Sequence, residues 1–277
     1  MEKFKIYRNI ANLNSLDMFY FDTNTEGPTI LCLHGRGGRA ETWFDFIQHY
    51  GKHYRVIAPD QRGHGLSSKP ISEYTTEEMA RDIIELLDFL KINSVIFVGH
   101  SMGGAVVGYL SAVYPKYVKA VAILDKSAAG PTELNKLPLD KNQLIDPITK
   151  DWPLPFFSLN EAINFIKQVS ASDLEYQYFM NSLTETVEGY KMMFIPEAMA
   201  IGVAHYRDWF HLLPKIKCLA LLIRSNSHEA VPDKDFIKMQ SLLSNCIAYE
   251  MSHPDHNVHL GNKEEFYRFF DEFLKRI

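Results

Sequence analysis

The sequence predicts an α/β fold in which a mostly parallel sheet carries helices on both faces. Short continuous apolar runs alternate along the chain with segments whose apolar residues recur every three or four positions, the pattern of buried strands joined by amphipathic helices. The 277 residues, 46% hydrophobic and 23% charged, suffice for one large core and are too few for several independent ones.

Phe4 to Arg8 and Leu16 to Phe21 read as an opening antiparallel pair. Thr29 to Leu33 is apolar throughout, as a strand buried on both faces must be, and Ala40 to Tyr50 follows with helical spacing at Trp43, Phe46 and Ile47. Tyr54 to Ala58 is a fourth strand. Thr75 and Glu78 form a capping box ahead of Met79, Ile83, Leu86, Leu87 and Leu90, which make one apolar stripe. Val95 to Val98 is the next strand, and Ala105 to Val113 the next helix. Val118 to Leu124, Cys218 to Ile223 and Ile247 to Met251 complete the strands, and Phe266, Phe269, Phe270 and Leu274 mark a closing helix. Residues 126 to about 213 interrupt the alternation. No strand is convincing there, whereas Ser158 with Glu161 and Ser172 with Glu175 open helical patterns, so a helical insertion is expected.

A formal net charge of −5 and the lack of a Lys/Arg cluster argue against nucleic acid as a partner. Met1 to Ile6 has no apolar stretch of signal-peptide length, and no run of ~18 apolar residues is available to span a bilayer. A soluble, cytoplasmic protein without membrane contact is expected. Cys32, Cys218 and Cys246 are odd in number and lie in or beside apolar runs, so they read as small buried hydrophobes.

The chemistry centres on Gly99-His100-Ser101-Met102-Gly103-Gly104, between a strand and a helix. A serine on such a turn takes a strained backbone, costing ~1–3 kcal/mol, and needs glycine on both sides for strand and helix to approach. Its hydroxyl then stands above the sheet at a helix N-terminus, where free N–H groups face developing negative charge. The bland alternative is a Gly-rich connection. In His34-Gly35-Arg36-Gly37-Gly38 the glycines let the backbone turn near the same point, so the Arg36 N–H can join that of Met102 as an oxyanion hole. Pro59 to Ser67 reads as a turn fastened by its own hydrogen bonds, and His34 and His100 as structural hydrogen-bonding residues.

With HGRGG at 34–38, PDQRGHGLS at 59–67, GHSMGG at 99–104 and DHNVHLGNKEEF at 255–266, nearly the whole chain resembles the α/β-hydrolase superfamily, in particular its capped esterase, lactonase and C–C-bond hydrolase branches. The resemblance implies an eight-stranded sheet, a helical cap after the sixth strand, and a catalytic triad in the order nucleophile, acid, base. On that basis residues 1–125 and 214–277 would form the core domain and 126–213 the cap. Trp152, Pro153, Pro155, Phe156, Phe157 and the stretch Met192 to Met199 would roof the site, with cap core as the plainer role for most of them. The base carries over to His256, although Asp255 stands where glycine is usual. His253, His256 and His259 also form a metal-like string, but metal binding would need further ligands and another task for Ser101. Related branches that displace halide or open epoxides use aspartate as nucleophile. Ser101 instead implies acyl transfer on an ester, lactone or thioester of a small molecule, without metal or organic cofactor. C–C bond hydrolysis, perhydrolysis and a non-catalytic ligand receptor are the alternatives, and a homo-oligomer is compatible with the sequence.

The acid departs from the family's pattern. The usual aspartate follows the seventh strand, where His228 stands in this chain. Histidine cannot supply the negative charge that steadies an imidazolium. The neighbouring Glu229 is preferred on position, and Asp125, at the end of the sixth strand, is the other candidate.

Overall fold

The computed structural model describes residues 4–130, 146 and 148–277. Its main sheet has eight strands in the order β1 (Tyr7–Asn12), β2 (Asp17–Asp22), β4 (Arg55–Pro59), β3 (Thr29–Leu33), β5 (Val95–His100), β6 (Val118–Leu124), β9 (Leu219–Arg224) and β10 (Cys246–Glu250). β2 pairs antiparallel with both neighbours, and every other pairing is parallel. β1 begins three residues later than the sequence suggests. Most of it is exposed, so apolar content cannot mark its ends, and its pairing with β2 sets them instead.

Alternation along the central strands sends their side chains to two separate cores. Leu31, Leu33, Phe97, Val121, Ile123 and Leu222 face α2 (Thr76–Phe89), α3 (Met102–Val113) and α7 (Asp233–Leu242). Ile30, Cys32, Ile96, Val98, Leu124 and Ile223 face α1 (Phe44–Tyr50) and α8 (Lys263–Leu274). Because each strand is covered twice, it must be apolar at every position, which is why these runs are continuous. The Thr75 capping box is complete: its hydroxyl accepts from the Glu78 N–H at 3.2 Å, and Glu78 Oε2 accepts from the Thr75 N–H at 3.3 Å.

Between β6 and β9 run α4 (Leu159–Val169), α5 (Asp173–Met180), the strands β7 (Leu183–Thr186) and β8 (Gly189–Met192), and α6 (Pro196–His205). The helices are where the sequence expects them, but β7 and β8 form an antiparallel hairpin that it does not anticipate. Ser158 and Ser172 each accept from the N–H three residues on. Glu161 and Glu175 reach past these caps to the N–H groups of Phe157 and Ala171, so neither box closes reciprocally. The two ends of the stretch meet where the Trp209 N–H donates to Ala128 O at 2.9 Å. Residues 131–145 and 147 of the expected cap lie outside the described residues. No helix among the described residues is long and apolar enough to cross a membrane.

One polar ring is buried beside the α1/α8 core. His259 stacks on Trp43 with ring centroids 4.3 Å apart, and neither ring nitrogen has a hydrogen-bond partner among the described residues. Burial, and then the neighbouring His256, lowers its pKa to about 3. The unfolded chain protonates an imidazole near ~6.5. Unfolding therefore takes up a proton below that pH, and stability falls as the pH drops from about 6.5 toward 3.

Two outcomes are expected. Thr75→Ala should lower the unfolding free energy by about 1 kcal/mol in urea titrations. His259→Phe keeps the stack and removes the proton uptake, so its loss of stability between pH 7 and pH ~4.5 should be smaller than wild type by about 2 kcal/mol. Equal losses would show that His259 does not titrate in this way.

Candidate active site

Ser101 lies between β5 and α3 with φ 52° and ψ −115°, a left-handed-side conformation rarely adopted by a side-chain-bearing residue. The close crossing of strand and helix leaves no room for side chains on either side. A Cβ on Gly99 would stand 2.2 Å from Gly103 O, and one on Gly103 would stand 2.4 Å from Leu33 O.

Strand register decides which residues share this level. His100 pairs with Leu124, and Leu124 with Ile223, so the residues just beyond β5, β6 and β9 emerge side by side. The Ser101 N–H donates to Leu124 O at 2.9 Å, and the Asp125 N–H to Ile223 O at 2.7 Å, carrying the ladder one step past the strands. Asp125 also has positive φ, 45°, and its side chain is 1% exposed. Oδ1 accepts from the Ser225 N–H at 2.8 Å. Oδ2 accepts from Ser225 Oγ at 3.0 Å and from His256 Nδ1 at 2.8 Å. With Nδ1 donating to the carboxylate, His256 keeps Nε2 as a proton acceptor.

The preference for Glu229 as the partner of His256 is therefore corrected: Asp125 occupies that position. Glu229 is exposed, and its backbone N–H donates to Ser227 Oγ at 3.4 Å. His228, with φ 60°, bonds Glu250 Oε2 through Nε2 at 2.9 Å, and Arg224 holds Glu250 and Asp233 in the same ion cluster. This cluster turns the loop outward before it reaches Glu229. Ser225, which the sequence reading does not single out, meets Asp125 instead. Its position directly after β9 is the signal that could have found it.

Met102 opens α3, and neither its N–H nor that of Arg36 has an acceptor among the described residues. Ser101 Oγ is not hydrogen-bonded to His256 in this conformation. Catalytic contacts of this kind often tighten only when substrate binds. His100 Nε2 donates to His256 O at 2.8 Å, anchoring the loop that carries His256. His34 donates from Nδ1 to Gly35 O at 2.8 Å and accepts at Nε2 from the Gln61 N–H at 2.9 Å, while burial lowers its pKa to about 4. Within residues 59–67, Asp60 accepts from the Ala40 and Leu66 amides at 2.6 and 2.7 Å, and Arg62 bonds Asp82 at 2.6 and 2.7 Å. The three histidines of 253–259 diverge: His253 Nδ1 accepts from the Asp255 N–H at 3.1 Å, His256 faces Asp125, and His259 faces Trp43.

Ser101 and Met102 border a cavity of about 360 Å³ walled by apolar and aromatic side chains that include Met79, Met199, Val203 and Tyr206. Arg36 and Lys126 also line it, and His256 does not. The segment between β6 and β9 touches the site at several points. Tyr178 of α5 is buried with its hydroxyl against Gly35 and Gly38, where a Cβ on Gly38 would overlap it at 2.0 Å. The Ile195 N–H donates to Gly63 O at 3.2 Å, and Ser172 Oγ bonds Asp255. Trp152, Phe156, Phe165 and Phe179 pack on one another, with neighbouring centroids 5.1–6.5 Å apart, so these aromatics form an internal core rather than a roof.

Residues 28–262 match the model of the alpha/beta hydrolase fold family. An uncharacterized protein of Mycobacterium tuberculosis is 37% identical over 107 residues, which are 39% of this chain and 31% of the relative, so the match spans about a third of that relative's length. The 2-hydroxy-6-oxononadienedioate/2-hydroxy-6-oxononatrienedioate hydrolase of Burkholderia vietnamiensis is 25% identical over 269 residues, covering 94% of this chain and 92% of the relative. The crystal structure of an E-2-(acetamidomethylene)succinate hydrolase superposes with a TM-score of 0.81 at 21% identity, covering 98% of this chain and all of the other, a likeness of fold. By the family match and the sheet order together, the chain belongs to the α/β-hydrolase family.

Proposed function

We propose that the protein is a serine hydrolase that cleaves a carboxylic ester or related acyl compound, a lactone or thioester included, of a small organic substrate through an acyl-enzyme on Ser101. The observation that carries this reading is the bond from His256 Nδ1 to the buried Asp125 carboxylate at the level of a strained serine.

In this reading His256 Nε2 takes the Ser101 proton as Oγ attacks the carbonyl carbon. Asp125 holds the ring in the tautomer that can accept it and stabilises the imidazolium that forms. The Arg36 and Met102 N–H groups bind the oxyanion, His256 protonates the leaving group, and water repeats the sequence to release the acid. Residues 126–213 act as a cap that shapes the cavity. C–C bond hydrolysis is the second reading, favoured by the near full-length similarity to the Burkholderia vietnamiensis enzyme, and product analysis separates the two.

Ser101→Ala should abolish hydrolysis of a short p-nitrophenyl ester and labelling by a fluorophosphonate. Asp125→Asn should lower kcat by about 10⁴-fold, the scale seen when a triad acid becomes its amide. Glu229→Gln should stay within about threefold of wild type, as expected for an exposed loop charge. Full activity in a folded Ser101→Ala protein would overturn the reading. Normal activity in Asp125→Asn would reduce the machinery to Ser101 and His256.

A further inference from the structure

The cavity beside Ser101 is largely apolar, yet two cationic side chains enter its wall. Their charges are balanced differently. Arg36 Nη1 bonds Asp146 Oδ1 at 3.1 Å, and that carboxylate is itself fixed by the Thr149 N–H and hydroxyl at 3.0 and 2.7 Å. Lys126 has no carboxylate within ion-pair distance among the described residues. Its Nζ lies 4.1 Å from the centroid of the Tyr206 ring, and that ring is fixed in turn by Trp209 Nε1, which donates to Tyr206 Oη at 2.8 Å. Among the described residues the wall therefore presents one uncompensated positive charge, on a side chain already held in place. Burial, and then Arg36, lowers the Lys126 pKa to about 8, which leaves the ammonium mostly charged at neutral pH.

An ammonium drawn into an apolar wall without a counter-ion is unfavourable, and a ligand that brings the opposite charge relieves that cost. Lys126 also sits close to the reacting centre. It directly follows Asp125, and a Cβ on Gly104, in the first turn after Ser101, would stand 2.9 Å from Lys126 Cβ. We propose that the substrate of this site carries a carboxylate a short chain away from its scissile carbonyl, and that Lys126 is the ion-pair partner of that carboxylate. One unpaired unit charge suits a carboxylate better than a phosphate dianion, because Arg36, which would have to help with the second charge, is engaged by Asp146. This inference rests on the hydrolase reading of Ser101.

The test compares matched esters that differ in one charge: the 4-nitrophenyl monoester of glutaric acid against 4-nitrophenyl pentanoate, and 4-(butanoyloxy)benzoate against phenyl butanoate. The two pairs place the carboxylate on the acyl and alcohol sides respectively. After subtraction of the uncatalysed rates, wild type should prefer the anionic member of at least one pair by tenfold or more in kcat/KM. In Lys126→Met that ratio should fall by about ten- to a hundredfold, the scale of one charged hydrogen bond, while Lys126→Arg should retain most of it. A merely structural role, or an electrostatic effect on Asp125, would change both members of a pair together and leave the ratio intact, which overturns the proposal. So does a wild-type ratio near one in both pairs with Ser101 still labelled by fluorophosphonate, and there the hydrolase reading survives. If wild type neither labels nor cleaves any of the four esters, that reading fails and the inference falls with it.

Discussion

The buried Asp125 carboxylate, hydrogen-bonded to His256 Nδ1 and to Ser225, holds together three loops that the sheet alone would leave independent. A carboxylate 1% exposed is tolerable only with donors around it, since the penalty for burying an unpaired charge is several kcal/mol. Ser225 supplies two donors from beyond β9, and His256 supplies one from the loop after β10. Both loops are thereby fastened to the end of β6. Ser101, on the other side of β6, joins the group through the Leu124 carbonyl. The site is thus an extension of four adjacent parallel strands, and the positive φ values at Ser101 and Asp125, each costing ~1–3 kcal/mol, are offset by this shared packing.

The same geometry divides labour between neighbouring residues of the chain. Asp125 faces His256, while Lys126 lines the cavity. The segment between β6 and β9 completes the cavity from above: Met199, Val203 and Tyr206 come from it, and Tyr178 closes over Gly35 and Gly38.

Much of this is legible in the sequence, for physical reasons that differ from place to place. Doubly covered strands must be apolar throughout, so β3, β5 and β6 announce themselves, and the glycines at 99 and 103 mark a crossing with no space for a Cβ. The β7–β8 hairpin is less legible because its residues are mostly half-exposed and carry little apolar periodicity; its one local signal is Gly189, at φ 127°, directly after the turn. The carboxylate that meets His256 is misplaced because counting along the loop after β9 treats it as following the family's path. The His228, Glu250, Asp233 and Arg224 cluster redirects it, and such a cluster joins residues of three elements that no local pattern brings together. That no described carboxylate reaches Lys126 is likewise invisible in sequence, because it depends on how the fold places carboxylates distant along the chain.

Among the described residues Asp125 is the carboxylate that holds His256 Nδ1. The proton on His256 Nδ1 reports this directly in the NMR spectrum of protein labelled with ¹⁵N in its histidine rings. A far-downfield Nδ1 proton, assigned to His256 by its loss in His256→Ala, should persist in Glu229→Gln and disappear or move strongly upfield in Asp125→Asn. A resonance that survives Asp125→Asn and vanishes in Glu229→Gln would contradict it.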